Sequence, residues 1–308
     1  ESLVNLADEQ PDVVDVPQAK RLKCDEGHVK FSNVVFGYDP DRTVLKGISF
    51  EIPAGNSIAV VGPTGAGKST ISRLLLRYYD PESGTIEIDD ENIHEATQYS
   101  LRRHISVVPQ DTVLFNDTIM YNIKYGRRNA TDEQVYAAAR QAQLHDFVMS
   151  LPDGYNTFCG ERGLRLSGGE LQRVAIARAL IKDPKILIFD EATSALDTKT
   201  ESEIQSALDA AARGRTSLTI AHRLSTVVSC DEIIVLRGGL IAERGKHHEL
   251  LAKNGVYASM WNRQKKDLEA QESKQLATDD SDLNIIDNDD EDEDDDNNNN
   301  DNSNNTTT

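Results

Sequence analysis

The sequence predicts an α/β domain whose mainly parallel strands are interrupted by a helical insertion. Three observations support this fold class. Short, β-branched apolar segments alternate with segments of helical periodicity, a glycine-rich loop at residues 62–69 directly follows one of the apolar segments, and residues from about 111 to 179 become helical before the alternation resumes. A chain of 308 residues is long enough to bury a substantial core.

Strands dominate the segment before residue 110. The predicted strands are short and rich in Val, Ile and Phe, and they cover residues 29–36, 48–52, 57–61, 85–88 and 105–108. The run Ser57–Val61 is apolar throughout, which is typical of a strand buried on both faces. Apolar residues at helical spacing predict a helix over residues 69–79.

Helices dominate the insertion. Thr131, followed by two acidic residues, predicts a capped helix through Ala142, and residues 144–151 predict a second helix. Beyond the insertion we expect strands at residues 185–189, 216–221, 232–236 and 240–243, and helices at residues 199–212, 247–252 and 256–266.

The two ends of the chain differ from this pattern. Residues 1–27 are polar and proline-spaced, which predicts a linker, and the start at Glu1 leads us to expect a piece of a longer chain. Residues 267–308 form an Asp- and Asn-rich tail that is expected to be disordered. A solvated tail is the simplest reading, with metal buffering or partner binding as alternatives.

Charge and cysteine content narrow the function. Thirteen of the 52 acidic residues, and none of the 33 basic residues, lie from Thr278 onwards, so most of the net charge of −19 belongs to the tail. The rest of the chain is slightly acidic, and we therefore expect no nucleic-acid partner. Three widely spaced cysteines fit no zinc or disulfide pattern, which favours a reducing compartment.

The glycine-rich loop matches the Walker A phosphate-binding pattern. It lies between a predicted strand and a predicted helix, and it consists of Gly62, Pro63, Thr64, Gly65, Ala66, Gly67, Lys68 and Ser69. Glycines allow backbone amides to close around phosphates, Lys68 is placed to reach the β- and γ-phosphates, and the Ser69 hydroxyl to hold Mg²⁺. The alternative, an ordinary glycine turn, is weak in this context.

Two acidic residues end the apolar segment Ile186–Glu191. Asp190 can reach Mg²⁺ through water, and Glu191 can polarise an attacking water. Alone, such a pair is more often a solvated strand end, but the phosphate loop upstream favours catalysis.

A second candidate anion site lies at Leu166, Ser167, Gly168, Gly169 and Glu170. A serine and two glycines at a helix start expose backbone N–H groups, and the helix dipole favours an anion there.

These motifs together resemble the nucleotide-binding domains of ABC transporters. The phosphate loop, Gln110, residues 166–170, residues 186–191, Ser194–Asp197 and His222 occur in that family's order, over about residues 28–266. The resemblance implies a P-loop NTPase core with an antiparallel β subdomain and an inserted α-helical subdomain, the ABC ATPase fold. It also implies ATP and Mg²⁺ as cofactors.

The resemblance assigns roles to single residues on the ATP side. Tyr38 corresponds to the aromatic that stacks on adenine, although a packed strand-end tyrosine is the alternative. Thr70 joins the ATP-binding residues, and Gln110 corresponds to the Q-loop residue that contacts Mg²⁺, together with Ser69 and Asp190. Glu191 would be the general base.

Other roles connect to a second subunit. Ser167 and Gly169 resemble the signature donors to the γ-phosphate of ATP held by a second copy, and Asp197 the D-loop residue between the sites. His222 resembles the switch histidine, whereas a lone histidine is usually structural. All hydrolytic positions are present, so the resemblance implies a symmetric homodimer.

The subtype resembles exporter half-transporters. Residues 107–126 are similar to mitochondrial iron–sulfur-export proteins, with heavy-metal-tolerance and porphyrin transporters almost equally similar, and residues 160–163 resemble the stretch that contacts the membrane domain. This implies a transmembrane domain upstream and a site on the mitochondrial inner membrane, or a vacuolar or endomembrane one. A non-transport ABC ATPase and a non-hydrolysing nucleotide scaffold are weaker alternatives. Asp90, Cys159 and Leu171 depart from the family's usual residues.

Overall fold

The computed structural model describes residues 13–192, 198–267 and 269. The chain divides into two compact units, residues 1–260 and residues 261–308. In the second unit residues 261–267 are helical. All the elements named below belong to the first unit.

A four-stranded antiparallel sheet has the order β2-β1-β4-β5. Its strands are β1 (Val29–Asp39), β2 (Arg42–Ile52), β4 (Ser83–Ile88) and β5 (Glu91–Asn92). Asp89 and Asp90 form the two-residue turn between β4 and β5 with φ angles of 48° and 63°. A hairpin turn with two positive φ angles tolerates Asp as well as Gly, so Asp90 fits where the family often has glycine.

A six-stranded sheet has the order β10-β9-β3-β8-β7-β6. Its strands are β3 (Ser57–Val61), β6 (Ile105–Val108), β7 (Ile186–Asp190), β8 (Thr216–Ile220), β9 (Glu232–Arg237) and β10 (Leu240–Gly245). Within this order, the neighbouring strands β9, β3, β8, β7 and β6 pair in parallel, as predicted. The expectation of parallel strands is wrong for β10, which pairs antiparallel with β9 because Gly238 and Gly239, both with positive φ, close a tight hairpin.

The helices alternate with the strands along the chain. They are α1 (Lys68–Leu75), α2 (Gln98–His104), α3 (Ile119–Lys124), α4 (Asp132–Gln141), α5 (His145–Ser150), α6 (Gly168–Leu180), α7 (Thr198–Ala212) and α8 (His247–Ala252). Helices α3 to α6 fall between β6 and β7, where the insertion is predicted. Thr131 caps α4 through a capping box. Residues 256–260 are also helical.

Helix α1 is shorter than predicted. It ends at Leu75, and Arg77 has a left-handed φ of 50°. The Arg77 side chain is fully buried and donates hydrogen bonds to Asp80 and to the carbonyls of Ala96 and Val14. Because Ala96 and Val14 are far from Arg77 in sequence, the helical periodicity of this segment does not reveal them. Their hydrogen bonds to Arg77 turn the chain away from the helix axis.

The parallel sheet separates two hydrophobic cores. On β7, Ile186 and Ile188 pack with the antiparallel sheet and α1, whereas Leu187 and Phe189 pack with the inserted helices and α7. Alternate side chains of a strand point to opposite faces, which explains why the strand is apolar throughout. The acidic pair at its end is therefore anchored in both cores.

Residues 13–27 lie against the first core. Leu22 and Cys24 are buried in it, and the Asp89 carboxylate accepts hydrogen bonds from the backbone N–H groups of residues 25–28 at 2.7 to 3.1 Å. Burial alone would raise the pKa of Asp89, but these donors together lower it below its ordinary value. The linker and tail boundaries remain predictions. Among the described residues no helix is long and apolar enough to cross a membrane.

Candidate functional site

The glycine-rich loop joins β3 to α1. Gly62, Gly65 and Gly67 have φ angles of 151°, 79° and 101°. A Cβ atom on Gly62 would lie 2.3 Å from the Leu236 carbonyl oxygen, and one on Gly67 would lie 2.7 Å from Leu45 Cδ2. At Gly62 glycine is therefore required both by backbone conformation and by the nearby Leu236 backbone, whereas at Gly65 and Gly67 the positive φ angle favours it.

Lys68 is the first residue of α1, and its side chain reaches back to the start of the loop. Its side chain is 6% exposed, and its Nζ donates hydrogen bonds to the carbonyls of Gly62 at 3.0 Å and Pro63 at 3.3 Å. Burial lowers the pKa of Lys68, while the negative charges of Glu191 and Asp190 oppose that shift. A buried ammonium group beside a glycine loop is suited to a phosphate.

A cleft of about 460 Å³ brings together residues that are far apart in sequence. Of the predicted site residues, those lining it are Tyr38, Thr64, Gly65, Gly67, Lys68, Ser69, Thr70, Glu191 and His222. Gly62, Pro63 and Ala66 complete the loop without lining the cleft.

Tyr38 lines the cleft and is 42% exposed. Its hydroxyl lies 3.2 Å from Thr70 Oγ1 and accepts a hydrogen bond from Arg73 at 3.0 Å. Arg73 also lines the cleft, and motif matching missed it. Its spacing of four residues from Ser69 on α1, which places both on one helix face, could have revealed it.

The acidic pair lies at the carboxyl end of β7. Burial raises the pKa of Asp190, and the neighbouring Glu191 carboxylate raises it further, against the lowering effect of Arg73 and Lys68. Glu191 has a left-handed φ of 48°, and its N–H donates to the Ile220 carbonyl at 2.8 Å. Such backbone strain in a non-glycine residue is often found at functional sites.

His222 is exposed and lies two residues beyond β8, which neighbours β7. It lines the same cleft as Glu191. The carboxyl ends of adjacent parallel strands meet at one sheet edge, which explains why the two come together.

The predicted magnesium ligands are Ser69, Gln110 and Asp190. Ser69 lines the cleft, whereas Gln110 and Asp190 are not among its lining residues. Gln110 is exposed, two residues after β6, at the same sheet edge as Asp190 on the adjacent parallel strand β7. Hydroxyl, amide and carboxylate oxygens are the donor types that Mg²⁺ prefers, so this set fits the ion.

The residues 166–170 form the start of α6, as predicted. Ser167 is the N-cap, and its N–H donates to Glu170 Oε2 at 2.7 Å in a capping box. Gly169 is buried, and a Cβ atom there would lie 2.5 Å from Thr200 Cγ2, so only glycine fits. Residues 166–170 do not line the cleft described above. Asp197 lies outside the described residues.

Helix α6 also holds the loop that follows Gln110, a connection that motif matching did not show. Gln172 donates to the Pro109 carbonyl at 3.1 Å and accepts from the Thr112 hydroxyl at 2.9 Å. Arg178 donates to the Val113 carbonyl at 3.1 Å. The signature helix and the loop after β6 are thus one connected unit.

Comparison with known proteins agrees with this geometry. The model of the ABC transporter family matches residues 45–194. The chain is 57% identical over 262 residues to an ATM1-type heavy metal exporter of Novosphingobium aromaticivorans, covering 85% of this chain and 43% of that protein. It is 54% identical over 265 residues to the heavy metal tolerance protein of Schizosaccharomyces pombe, covering 86% and 32%.

Human ATP-binding cassette sub-family B member 6 is 52% identical over 278 residues, covering 90% of this chain and 33% of the relative. A solved structure of a bacterial Atm1-family ABC exporter with ATP bound superposes with a TM-score of 0.80 at 56% identity, covering 85% of this chain and 46% of that one. The chain spans less than half the length of each of these proteins. Its fold and motifs are those of an ABC ATPase domain, and through this domain the chain belongs to the ABC transporter family.

Proposed function

We propose that this chain is the ATP-hydrolysing part of an ABC exporter half-transporter that moves a glutathione- or metal-linked compound, of the iron–sulfur precursor type, across an organellar membrane. The observation that carries the ATPase proposal is the single cleft that joins Tyr38, the phosphate loop, Glu191 and His222. The mitochondrial inner membrane is the membrane we propose, with the described domain on its soluble side.

A second cargo class has its own support. Two relatives are named a heavy metal exporter and a heavy metal tolerance protein. Export of heavy-metal–thiol conjugates, or of porphyrins, across a vacuolar or other endomembrane is therefore the alternative.

We assign the steps of the reaction to residues of this chain as follows. Tyr38 stacks on the adenine, the amides of the glycine loop hold the phosphates, and Lys68 places its positive charge on the β- and γ-phosphates. Mg²⁺, when bound beside Ser69, Gln110 and Asp190, supplies further positive charge at the phosphate oxygens.

Glu191 takes the proton of the attacking water, and His222 contacts the γ-phosphate. Both residues line the same cleft as Tyr38 and the phosphate loop. The Glu191 N–H donates to the carbonyl of Ile220, two residues before His222, so the strand end that carries the proposed base is bonded to the strand end that precedes the proposed switch residue.

A second copy of the chain completes the site in this proposal. Residues 166–170 form an anion site at the start of α6, but they do not line the cleft that holds the phosphate loop. We propose that two copies pair head to tail. In this pair, the phosphate loop of one copy and residues 166–170 of the other bind the same ATP. The D-loop residue Asp197 is proposed to lie between them.

The membrane domain is the other proposed partner. Phe115, Tyr121 and Tyr125 are 42–45% exposed, and the Phe115 ring contacts the two tyrosine rings at centroid distances of 5.9 and 4.5 Å. An exposed aromatic cluster is typical of a docking surface. Glu161 and Arg162, also exposed, carry the charged stretch that resembles the exporter contact.

The test replaces Glu191 by Gln, which keeps the side-chain size and removes the base. Because general-base catalysis contributes roughly 10²–10⁴-fold, steady-state ATP hydrolysis should fall by about that factor while ATP binding measured by calorimetry persists. Glu133→Gln, an exposed glutamate on α4, is the matched control and should keep full activity. Undiminished hydrolysis by Glu191→Gln would refute the assigned mechanism.

Native mass spectrometry of the same variant tests the pairing. With ATP and Mg²⁺, Glu191→Gln should appear as a dimer, and adding Ser167→Arg should return it to monomer without loss of ATP binding. Monomers in both samples would contradict the paired site.

The cargo is tested on the chain joined to its proposed membrane domain in vesicles. Stimulation of ATP hydrolysis by oxidised glutathione supports the first cargo class. Stimulation by a cadmium–thiol complex or a porphyrin alone supports the alternative.

A further inference from the structure

The loop that carries His222 is short and is held from outside. Residues 221–223 connect the end of β8 at Ile220 to a 3₁₀ turn at Leu224–Val227, and His222 itself is exposed. Ala221, the residue before His222, donates its N–H to the Val60 carbonyl at 3.3 Å. Contacts made by the other neighbours of His222 in the loop also bear on its position.

Those contacts lead to Glu201 on α7. Arg223, the residue after His222, forms an ion pair with Glu201, and the Ser225 hydroxyl donates to Glu201 Oε1 at 3.3 Å. The Glu201 side chain is only 13% exposed, whereas that of Arg223 is 34% exposed. One carboxylate thus holds both sides of the loop after the proposed switch histidine.

The first turns of α7 also contact the signature helix α6. Thr200 packs against Gly169, so closely that no larger residue fits at that position. Glu203 forms an ion pair with Arg173 of α6, and the Arg173 side chain is 16% exposed. Helix α7 therefore touches the signature helix with the residues on either side of Glu201.

We propose that Glu201 is a positioning residue for ATP hydrolysis: it holds the His222 loop through Arg223 and Ser225, and fixes that loop relative to the signature helix. The proposal rests on the proposed function, in which His222 contacts the γ-phosphate. In this proposal Glu201 links His222, which contacts the ATP bound to the same chain, to helix α6, which contacts the ATP bound to the partner copy.

The pair of Glu201 and Arg223 should matter more for the position of the loop than for the stability of the fold. An ion pair with one partner about a third exposed contributes little to folding, because solvent screens it. A displacement of a catalytic group by about 1 Å, however, can cost up to about 10²-fold in rate. Loss of Glu201 should therefore change turnover much more than stability.

The experiment measures steady-state ATP hydrolysis and thermal unfolding of the purified chain. Glu201→Gln should lower kcat about tenfold and change KM for ATP by less than about twofold, because the groups that bind ATP are untouched. Its Tm should fall by no more than about 4 °C. The control Asp209→Asn removes another carboxylate of the same helix, one that accepts a hydrogen bond from Gln205, and should keep kcat.

Rescue distinguishes the ion pair from a general effect of the substitution. The exchange Glu201→Arg with Arg223→Glu restores opposite charges and should recover most of the kcat that either single change loses. A Glu201→Gln variant with the kcat of Asp209→Asn, or an exchanged pair without recovery, would overturn the proposal.

Two further measurements keep the result interpretable. If Glu201→Gln lowers Tm further than expected, hydrogen exchange decides: faster exchange confined to residues 222–226 supports the proposal, and faster exchange along the whole of α7 overturns it. The variant His222→Ala distinguishes a failure of the proposed function from a failure of the role of Glu201. Full activity of His222→Ala contradicts the proposed function, whereas its loss with an unaffected Glu201→Gln contradicts only the role of Glu201.

Discussion

Replacing Asn122 by alanine should destabilise the domain by about 3 kcal/mol, because this side chain is the centre of a buried polar network. Asn122 on α3 is fully buried, and its side chain accepts from the Phe115 N–H and from Arg178, both at 2.8 Å. It also donates to the carbonyls of Phe115 and Thr118, both at 3.0 Å. Both of its donors and both of its acceptor positions are used.

The magnitude follows from which partners have a substitute. The Thr118 carbonyl still accepts from the Asn122 backbone N–H, and the Phe115 carbonyl from the Asp117 N–H. The Phe115 N–H and the Arg178 Nη2 group lose the Asn122 oxygen as their acceptor. An unmet backbone donor costs about 1–3 kcal/mol and a hydrogen bond from a charged donor about 1.5–3 kcal/mol, so about 3 kcal/mol is the expected sum after partial rehydration.

Urea unfolding followed by far-UV circular dichroism measures this change in the free energy of unfolding. Asn156→Ala is the matched control, since Asn156 is an exposed asparagine in the same helical region and its loss should change stability by less than about 0.5 kcal/mol. A loss below about 1 kcal/mol for Asn122→Ala would refute the reasoning. Domains are commonly stable by about 5–15 kcal/mol, so the variant should still fold.

Two other changes test the adenine end of the cleft and the anchor of residues 25–28. Tyr38→Ala should raise KM for ATP about ten- to a hundredfold, since stacking of a base on an aromatic ring contributes about 1–3 kcal/mol, whereas Tyr38→Phe keeps the ring and should raise KM less than about threefold. Equal effects in steady-state kinetics would contradict stacking. Asp89→Asn should cost about 1–2 kcal/mol at pH 7 in urea unfolding, relative to the exposed control Asp90→Asn, because one amide oxygen cannot accept from four N–H groups. Since the pKa of Asp89 is lowered in the fold, its contribution is fully present above the unfolded pKa of about 4 and disappears as the pH falls through the folded value. A difference between the variants that grows on acidification would contradict this sign.

The sequence predicts best the elements whose signals are local. The strand Ser57–Val61 has the predicted bounds because an apolar run ends directly at a glycine loop. Thr131 marks the start of α4 because a side-chain cap is a property of a few adjacent residues. The phosphate loop, the signature and the acidic strand end share this character, so motif spacing could place them in one family.

What the sequence did not predict depends on distant partners. Helix α1 ends early because buried Arg77 bonds to Ala96 and Val14, and β10 runs antiparallel because of a hairpin that the strand pattern alone does not define. The same holds for the pair of Glu201 and Arg223, which are 22 residues apart. Periodicity indicates which face of an element is buried but not which side chain of another element meets it.

The backbone at Glu191 predicts that stability and activity oppose each other at this residue. Its φ of 48° is a conformation that costs a non-glycine residue about 1–2 kcal/mol, and the hydrogen bond to Ile220 maintains it. Glu191→Ala removes the carboxylate and keeps the strain, whereas Glu191→Gly removes both. After the greater flexibility of glycine in the unfolded chain is included, Glu191→Gly should be more stable than Glu191→Ala by about 0.5–1 kcal/mol in urea unfolding, although both should lose ATP hydrolysis. A less stable glycine variant would show that the left-handed backbone is not strained. If Glu191→Gly is the more stable variant, the backbone at Glu191 is strained, and the strain is the cost of placing the carboxylate in the cleft.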